Sequence, residues 1–182
     1  MSRINLPAPD QTPAASLPLF DAVNKQLGVV PNLMKMLGNS AAALGGYLSL
    51  RDMLGRGTLG GKLGGRIALA VAEINGCRYC LAAHTYLGKN AVKLDDAEMA
   101  ANRRGTSGDP KADAAVRFAA KVAQLRGHVS DADVQAVKNA GYSNGEVMEI
   151  VAHVALNTLT NYVNEVAQTD IDFPAVELLK AA

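Results

Sequence analysis

The two cysteines of this chain lie three positions apart, in a segment whose polar residues are spaced for an α-helix. Cys77, Cys80 and His84 occupy positions i, i+3 and i+7 of the segment AEINGCRYCLAAH. Positions with this spacing share one face of a helix, with His84 one turn beyond Cys80. The pattern therefore predicts two thiols beside an imidazole base.

Two thiols and a base in this arrangement suit thiol redox chemistry. Only a thiolate attacks a peroxide or a disulfide, and an imidazole can take the proton of a thiol. A second thiol within reach converts the resulting sulfenic acid into a disulfide. The loop between Cys77 and Cys80 is too short for a disulfide there to add much stability. We therefore predict a redox site whose oxidised product is the Cys77–Cys80 disulfide.

The spacing leaves open which cysteine is the nucleophile. Asn75 and Gly76 predict a helix that begins at Cys77, and the positive end of a helix lowers the pKa of a thiol. His84, however, is four residues from Cys80 and seven from Cys77, which gives Cys80 the nearer base. The two arguments favour different sulfurs.

Glu73 is the fourth candidate site residue. It lies just before the break at residues 75 and 76, near enough to orient His84 or to move a proton. The alternative is a solvated carboxylate on the last turn of the preceding helix. Tyr79 falls on a different helix face, and we expect it to pack beside the site rather than take part in catalysis.

Zinc is the main chemical alternative, with five side chains that could contribute ligands: Cys77, Cys80, His84, His128 and His153. The chain has no second CxxC and no closely spaced histidine pair to complete a familiar zinc motif. His153 stands in the apolar stretch EIVAHVALNTL, which is typical of a core histidine, and His128 falls in a predicted exposed loop. We therefore predict no metal and no cofactor.

Composition and charge restrict the classes of protein to which this chain can belong. The chain has 182 residues, of which 49% are hydrophobic, enough for one compact domain without metals or disulfides. Its 18 basic and 17 acidic residues give a net charge of +1, and no long basic run attracts nucleic acid or an anionic membrane. No apolar stretch approaches the ~20 residues of a membrane span. We expect a soluble cytoplasmic protein with neither partner.

The apolar spacing is helical along most of the chain, and no segment alternates with a period of two. We predict an all-α bundle of about seven or eight helices, in which many alanines and glycines allow close packing. Residues 1–15, with three prolines, are predicted to form an extended N-terminal arm that can pack on a partner subunit. Residues 16–182 are predicted to form a single all-helical domain.

Capping residues mark the helix ends. A helix is expected over about residues 62–74, and another from residue 77 to about residue 90. Asp95 precedes a further helix, and Pro110 opens one that runs toward Arg126. Ser130 and Ser143 begin capping-box patterns. The tail DFPAVELLKAA is expected to form a last short helix.

The segment IALAVAEINGCRYCLAAHTYLGK resembles the core of the alkylhydroperoxidase D-like members of the carboxymuconolactone decarboxylase superfamily. The flanking segments GVVPNLMKMLGNSAAALGGYL and VALNTLTNYVNEVAQTDIDFP resemble those of its peroxidase-related branch. The resemblance thus covers most of the chain. It implies an all-α domain that is commonly a homo-oligomer.

By this resemblance, Cys80 is the peroxidatic thiol, Cys77 the resolving thiol and His84 the proton-relay base. It implies peroxiredoxin activity with an antioxidant role, a hydroperoxide substrate and a separate dithiol reductant, for example a lipoyl-bearing protein. Decarboxylase members generally lack this cysteine pair. Two alternatives stay open: a non-catalytic redox-sensing or scaffold protein, and lactone or decarboxylation chemistry in which His84 acts without the cysteines.

The chain departs from the family pattern at two positions. The relay glutamate of characterised alkylhydroperoxidases aligns with Gly65, which cannot carry a proton. Glu73 or Glu149 could take its place. A histidine often found before the second cysteine is Tyr79 here. The departures imply a slower peroxidase reaction, although the two thiols can still cycle.

Overall fold

The computed structural model describes residues 2–179, which fold into helices joined by short loops. A 3₁₀ helix at Ala14–Ser16 precedes nine α-helices in this part of the chain: α1 (Leu17–Leu27), α2 (Asn32–Leu37), α3 (Ala41–Gly55), α4 (Gly60–Ile74), α5 (Arg78–Asn90), α6 (Asp96–Arg103), α7 (Pro110–Gln124), α8 (Asp131–Asn139) and α9 (Asn144–Ala167). The all-α prediction is confirmed.

Helix α4 is the central element of the fold. It contacts α5, α6, α7 and α9, and every residue from 67 to 72 is buried. A helix that is apolar on all sides is stable in water only when neighbours cover each side. One apolar cluster joins α4 to α7, α8 and α9. A second cluster contains both cysteines together with Leu69 and Leu81, so the CxxC segment belongs to the protein interior.

Glycine permits the close approach of α4 and α9. A Cβ atom added at Gly64 would lie 2.9 Å from Cε1 of His153, closer than a side chain tolerates. Glycine destabilises the interior of a helix by about 1 kcal/mol relative to alanine, and the close packing of the two helices offsets this loss. The neighbouring Gly65 faces Val92 instead, at 3.3 Å. Two glycines inside a helix predict either close packing or a frayed first turn, and close packing is found at both.

Helix α4 begins two residues earlier than predicted. The Glu149 carboxylate of α9 accepts hydrogen bonds from the backbone N–H groups of Thr58, at 2.9 Å, and Leu59, at 3.3 Å. These groups would otherwise lack partners at the start of the helix. The cap comes from a distant helix, so local sequence patterns do not show it.

Local capping signals place the later helices as predicted. Capping boxes begin α8 at Ser130 and α9 at Ser143. The Asp95 side chain accepts from the N–H of Glu98 at 2.7 Å at the start of α6. Pro110 opens α7, which ends at Gln124. Each signal acts within one turn, which is why sequence alone finds it.

The predicted last helix, residues 172–182, is wrong for residues 172–179, which form no helix and contact residues of α4, α5 and α6. Their backbone groups bind side chains instead: the N–H of Leu179 donates to Glu73, and the carbonyl of Glu177 accepts from Arg103. A helix of so few residues is marginal in water, so these bonds prevail. Residues 180–182 of the predicted helix lie outside the described residues.

The first residues of the chain lie against its last helix. The N–H of Arg3 donates to the carbonyl of Ala167, the last residue of α9, at 2.6 Å, and the carbonyl of Asn5 accepts from Asn39 at 3.3 Å. Residues 2–13 contain no helix or strand. No helix among residues 2–179 is long and apolar enough to cross a membrane.

Candidate active site

A tight turn between α4 and α5 places Cys77. The N–H of Gly76 donates to the carbonyl of Glu73 at 3.1 Å, and the N–H of Cys77 donates to the carbonyl of Ala72 at 3.0 Å. This is the Schellman pattern, which requires a left-handed residue after the helix. Gly76 provides it, with φ of 66°. The turn brings Cys77 to the first position before α5.

The two cysteine side chains contact each other at the start of α5. The Sγ atom of Cys77 accepts from the N–H of Cys80 at 3.3 Å and so caps the helix. Both residues are free thiols, with exposed fractions of 0% and 2%. The predicted convergence of the two thiols is present, and disulfide formation would require little movement of the backbone.

The surroundings of the two sulfurs favour Cys80 as the thiolate. Hydrogen bonding from Cys77 lowers the pKa of the Cys80 thiol, and side chains of α9 lower it further, against the effect of burial. The same hydrogen bond raises the pKa of Cys77, as do burial and the negative charge of Glu165. Cys77 therefore stays protonated and donates to Cys80, although it is nearer the positive end of the helix.

Four buried polar side chains on α9 face α5, and our sequence analysis did not identify them. They share one helix face: Asn157, Thr160, Asn161 and Asn164. Asn164 Nδ2 donates to Cys80 Sγ at 3.2 Å. Polar residues at spacing i, i+3, i+4 and i+7 inside the apolar stretch VALNTLTNYVN are the signal that could have revealed them.

His84 lies on α5 one turn beyond Cys80 and is partly buried. Burial lowers the pKa of His84 to about 4, and a hydrogen bond with Asn157 opposes this shift. The imidazole is therefore neutral near pH 7 and able to accept a proton. Within residues 2–179, no hydrogen bond joins His84 to either cysteine or to Glu73.

Glu73 has structural partners on both carboxylate oxygens. Oε2 accepts from Nε of Arg103 at 2.7 Å, and Oε1 accepts from the N–H of Leu179 at 2.6 Å. The Glu73 side chain is 10% exposed, so it is not the solvated carboxylate of the alternative reading. Its contacts hold the tail against α6, and the relay role remains a prediction with no contact to His84.

Neither of the other positions considered for the relay supplies a carboxylate to the cysteines. Gly65 faces Val92, and Glu149 binds the first turn of α4. The polar side chains that interact with the Cys80 sulfur are the second thiol and the amides and hydroxyl of α9.

Tyr79 packs beside the site, as the sequence analysis expected. Its hydroxyl donates to Asp172 Oδ1 at 2.7 Å and accepts from the N–H of Leu33 at 3.0 Å. Its ring meets Phe173 edge-on, with 5.8 Å between ring centroids. Tyr79 thus joins the CxxC helix to α2 and to the tail.

The zinc ligand set considered above does not converge. His128 is exposed in the loop before α8, whereas His153 packs against Gly64 between α4 and α9. Residues 2–179 contain no group of three or more histidine, cysteine, aspartate or glutamate side chains arranged to hold a metal ion.

Comparison with known families gives a specific match. Residues 41–121 match the carboxymuconolactone decarboxylase family, a range that includes α4, the CxxC segment and His84. No curated protein sequence matches the chain significantly.

Solved structures share the fold over nearly the whole chain. A peroxidase-related protein from Silicibacter sp. TM1040 is 23% identical, with a TM-score of 0.80, covering 93% of this chain and 91% of that one. The alkylhydroperoxidase AhpD core protein from Ralstonia eutropha JMP134, also described as peroxidase-related, is 24% identical, with a TM-score of 0.82 and coverage of 94% and 92%. The debrominase Bmp8, in a cysteine-to-alanine variant bound to 2,3,4-tribromopyrrole, is 19% identical, with a TM-score of 0.77 and coverage of 94% of each chain.

These findings confirm the resemblance drawn from the sequence. Residues 41–121 match the model of the carboxymuconolactone decarboxylase family, and the fold of the chain is that of the alkylhydroperoxidase D-like proteins.

Proposed function

We propose that this protein is a cysteine-based peroxidase that reduces hydroperoxides through Cys77 and Cys80. The interaction between the two free thiols carries the proposal, because one of them, Cys80, is surrounded by groups that favour its thiolate. Such a pair can be oxidised and reduced repeatedly without a metal or an organic cofactor.

The first half of the cycle oxidises Cys80. His84 takes the proton of the Cys80 thiol, and the thiolate attacks the terminal oxygen of the hydroperoxide. The S–O bond forms as the O–O bond breaks, and the leaving alkoxide takes the proton from His84 to become an alcohol. Cys80 is then a sulfenic acid.

The second half closes and reopens the disulfide. The Cys77 sulfur attacks the Cys80 sulfenic acid, and the thiol proton leaves with the hydroxyl group as water. A separate dithiol then reduces the disulfide in two exchange steps and becomes a disulfide itself. Because both sulfurs are buried, a slender dithiol such as a lipoyl group suits this step. A reducing compartment such as the cytoplasm would keep the pair reduced, in keeping with an antioxidant role.

A homo-oligomer is part of the proposal. Apolar side chains form an exposed stripe along α9, and four of its members are Met148, Leu159, Tyr162 and Val166, with exposed fractions from 42% to 63%. Exposed apolar stripes of this length commonly mark contacts between proteins. A second copy of the chain could cover the stripe, because most soluble oligomers are formed by identical subunits.

Turnover with a dithiol donor tests the proposed activity. Reduced protein, cumene hydroperoxide and dihydrolipoamide are mixed, and the hydroperoxide is measured over time. We expect many equivalents of hydroperoxide to be consumed per wild-type protein, a single equivalent by Cys77→Ser, and none above background by Cys80→Ser. Equal consumption by Cys80→Ser would refute the mechanism, whereas consumption of a single equivalent would reject only this donor.

The same preparation can be tested with 2,3,4-tribromopyrrole, the ligand in the Bmp8 structure. If this compound loses bromide and cumene hydroperoxide does not react, the substrate class is a brominated aromatic compound instead of a hydroperoxide. The reaction would still be expected to depend on the cysteines.

A further inference from the structure

The Cys80 sulfur lies against three polar side chains of α9. Asn164 Nδ2 is a direct donor at 3.2 Å, and Thr160 and Asn161 face the same sulfur. All three residues are at least nine-tenths buried. Buried polar side chains are costly unless they are hydrogen-bonded, so their position around one atom requires a reason.

Asn161 is oriented toward the sulfur by a bond from the turn. Its Oδ1 accepts from Nδ2 of Asn75 at 2.8 Å, which fixes the amide so that its NH₂ group is available on the Cys80 side. Asn161 Nδ2 is buried and makes no standard hydrogen bond within residues 2–179. A buried donor without a neutral partner suits an anion that forms only in one state of the site.

The Thr160 hydroxyl can donate its proton to either of two hydrogen-bond acceptors. It donates to the carbonyl of Asn157 at 2.9 Å, and rotation of the hydroxyl proton would direct it to the neighbouring Cys80 sulfur instead. An ionised sulfur would attract this proton more strongly than a thiol does.

We propose that Thr160, Asn161 and Asn164 form a thiolate cage, in which side-chain N–H and O–H donors from α9 hold the Cys80 sulfur in its ionised form. This inference rests on the proposed function for its role in catalysis, but the cage itself is a property of the resting protein. It assigns the stabilisation of the Cys80 thiolate to neutral amide and hydroxyl donors beside the Cys77 thiol, in a site where Glu73 and Glu149 are bound elsewhere. His84 keeps its proposed role as the acceptor of the thiol proton.

The charged groups around the pair agree with this assignment. Cys77 and the hydroxyls of Tyr47 and Tyr79 interact with Cys80, and the Glu165 carboxylate faces Cys77. Burial raises the pKa of both tyrosines, and Cys77 stays protonated, so none of these three groups supplies a positive charge that would stabilise a thiolate. The hydrogen bond from Cys77, together with the hydrogen bonds from the cage, therefore offsets burial and lowers the pKa of Cys80.

Titration of Cys80 in a Cys77→Ser background tests the cage, because this background leaves one thiol and keeps a hydroxyl donor at position 77. The ultraviolet absorbance of the thiolate is followed against pH. Adding Asn164→Ala is expected to lower the thiolate fraction at neutral pH about tenfold, since hydrogen bonds to charged groups are the strong ones. Asn161→Ala and Thr160→Val should shift the titration in the same direction. Asn102→Ala, which removes a fully buried asparagine on α6, is the matched control and should leave it unchanged.

An unchanged titration in folded Asn164→Ala and Asn161→Ala proteins would overturn the cage. Circular dichroism establishes folding, and Thr160→Val, which keeps the side-chain shape, decides the question if an asparagine variant does not fold. No peroxide enters the experiment. If the variants shift the titration but the protein does not reduce hydroperoxides, the cage is supported and the proposed peroxidase function is rejected.

Discussion

A Cys77→Ser variant is expected to reduce one equivalent of hydroperoxide and then stop as a sulfenic acid on Cys80. The donors of α9 still favour the Cys80 thiolate, and the serine hydroxyl can replace the Cys77 thiol as a donor, so attack on the peroxide does not need the second thiol. Without Cys77, no neighbouring sulfur can close the disulfide. Trapping with dimedone and mass spectrometry of the peptide that contains Cys80 measures the product.

The Cys80→Ser variant is the matched control for this experiment. Its remaining thiol has a raised pKa, so we expect no dimedone adduct on the time scale of the Cys77→Ser reaction. A faster adduct at Cys77 than at Cys80 would show that the positive end of α5 decides the nucleophile, and it would reverse the assigned roles.

Replacing Glu98 by alanine is expected to cause a large loss of stability. Glu98 accepts from Arg66 Nε at 2.7 Å, from Asn102 Nδ2 at 3.0 Å, and from Ser107 and the N–H of Gly108. Its side chain is 12% exposed and that of Arg66 is 11% exposed. Removal leaves a buried cation without its partner, so unfolding in urea at pH 7 should show a loss of about 3–5 kcal/mol.

The pH dependence of this effect has a defined sign. Burial raises the pKa of Glu98, but hydrogen bonds from Ser107, Asn102 and Gly108 and the charge of Arg66 lower it to about 2, from 4.5. The stabilisation is fully present above pH 4.5 and is lost as the pH falls toward 2. The difference in unfolding free energy between wild type and Glu98→Ala should therefore narrow from pH 5 toward pH 3.

A surface carboxylate on the same helix provides the comparison for Glu98. Asp96 is paired with Lys89 at 3.5 Å, and its side chain is 81% exposed. Asp96→Ala should change the unfolding free energy by less than about 1 kcal/mol. An equally small effect for Glu98→Ala would show that its hydrogen bonds do not stabilise the fold.

The sequence predicts the parts of this protein that depend on local interactions. Capping at Ser130 and Ser143, the turn at Gly76 and the common helix face of the two cysteines all act within one or two turns. The residues around the CxxC segment also supported the family resemblance, which the family match and the fold confirm. Fold class and the pairing of the thiols were therefore accessible before the structure.

The remaining features depend on residues far apart in the chain. The donors to Cys80 come from α9, 84 positions away for Asn164. Glu149 caps α4 across a similar separation, and Glu73 binds Arg103 and the tail. The predicted C-terminal helix failed for the same reason, because distant side chains bind its backbone groups. A local sequence pattern does not show which distant residues will make these contacts.

Counting free thiols after a single addition of hydroperoxide tests the central claim most directly. Protein is fully reduced, freed of reductant without oxygen, and given one equivalent of cumene hydroperoxide beside a Cys80→Ser control. The account predicts rapid loss of both thiols in the wild type, with a Cys77–Cys80 disulfide as the product, and retention of the single thiol in the control. Two thiols that persist in the wild type as long as the control thiol does would contradict it.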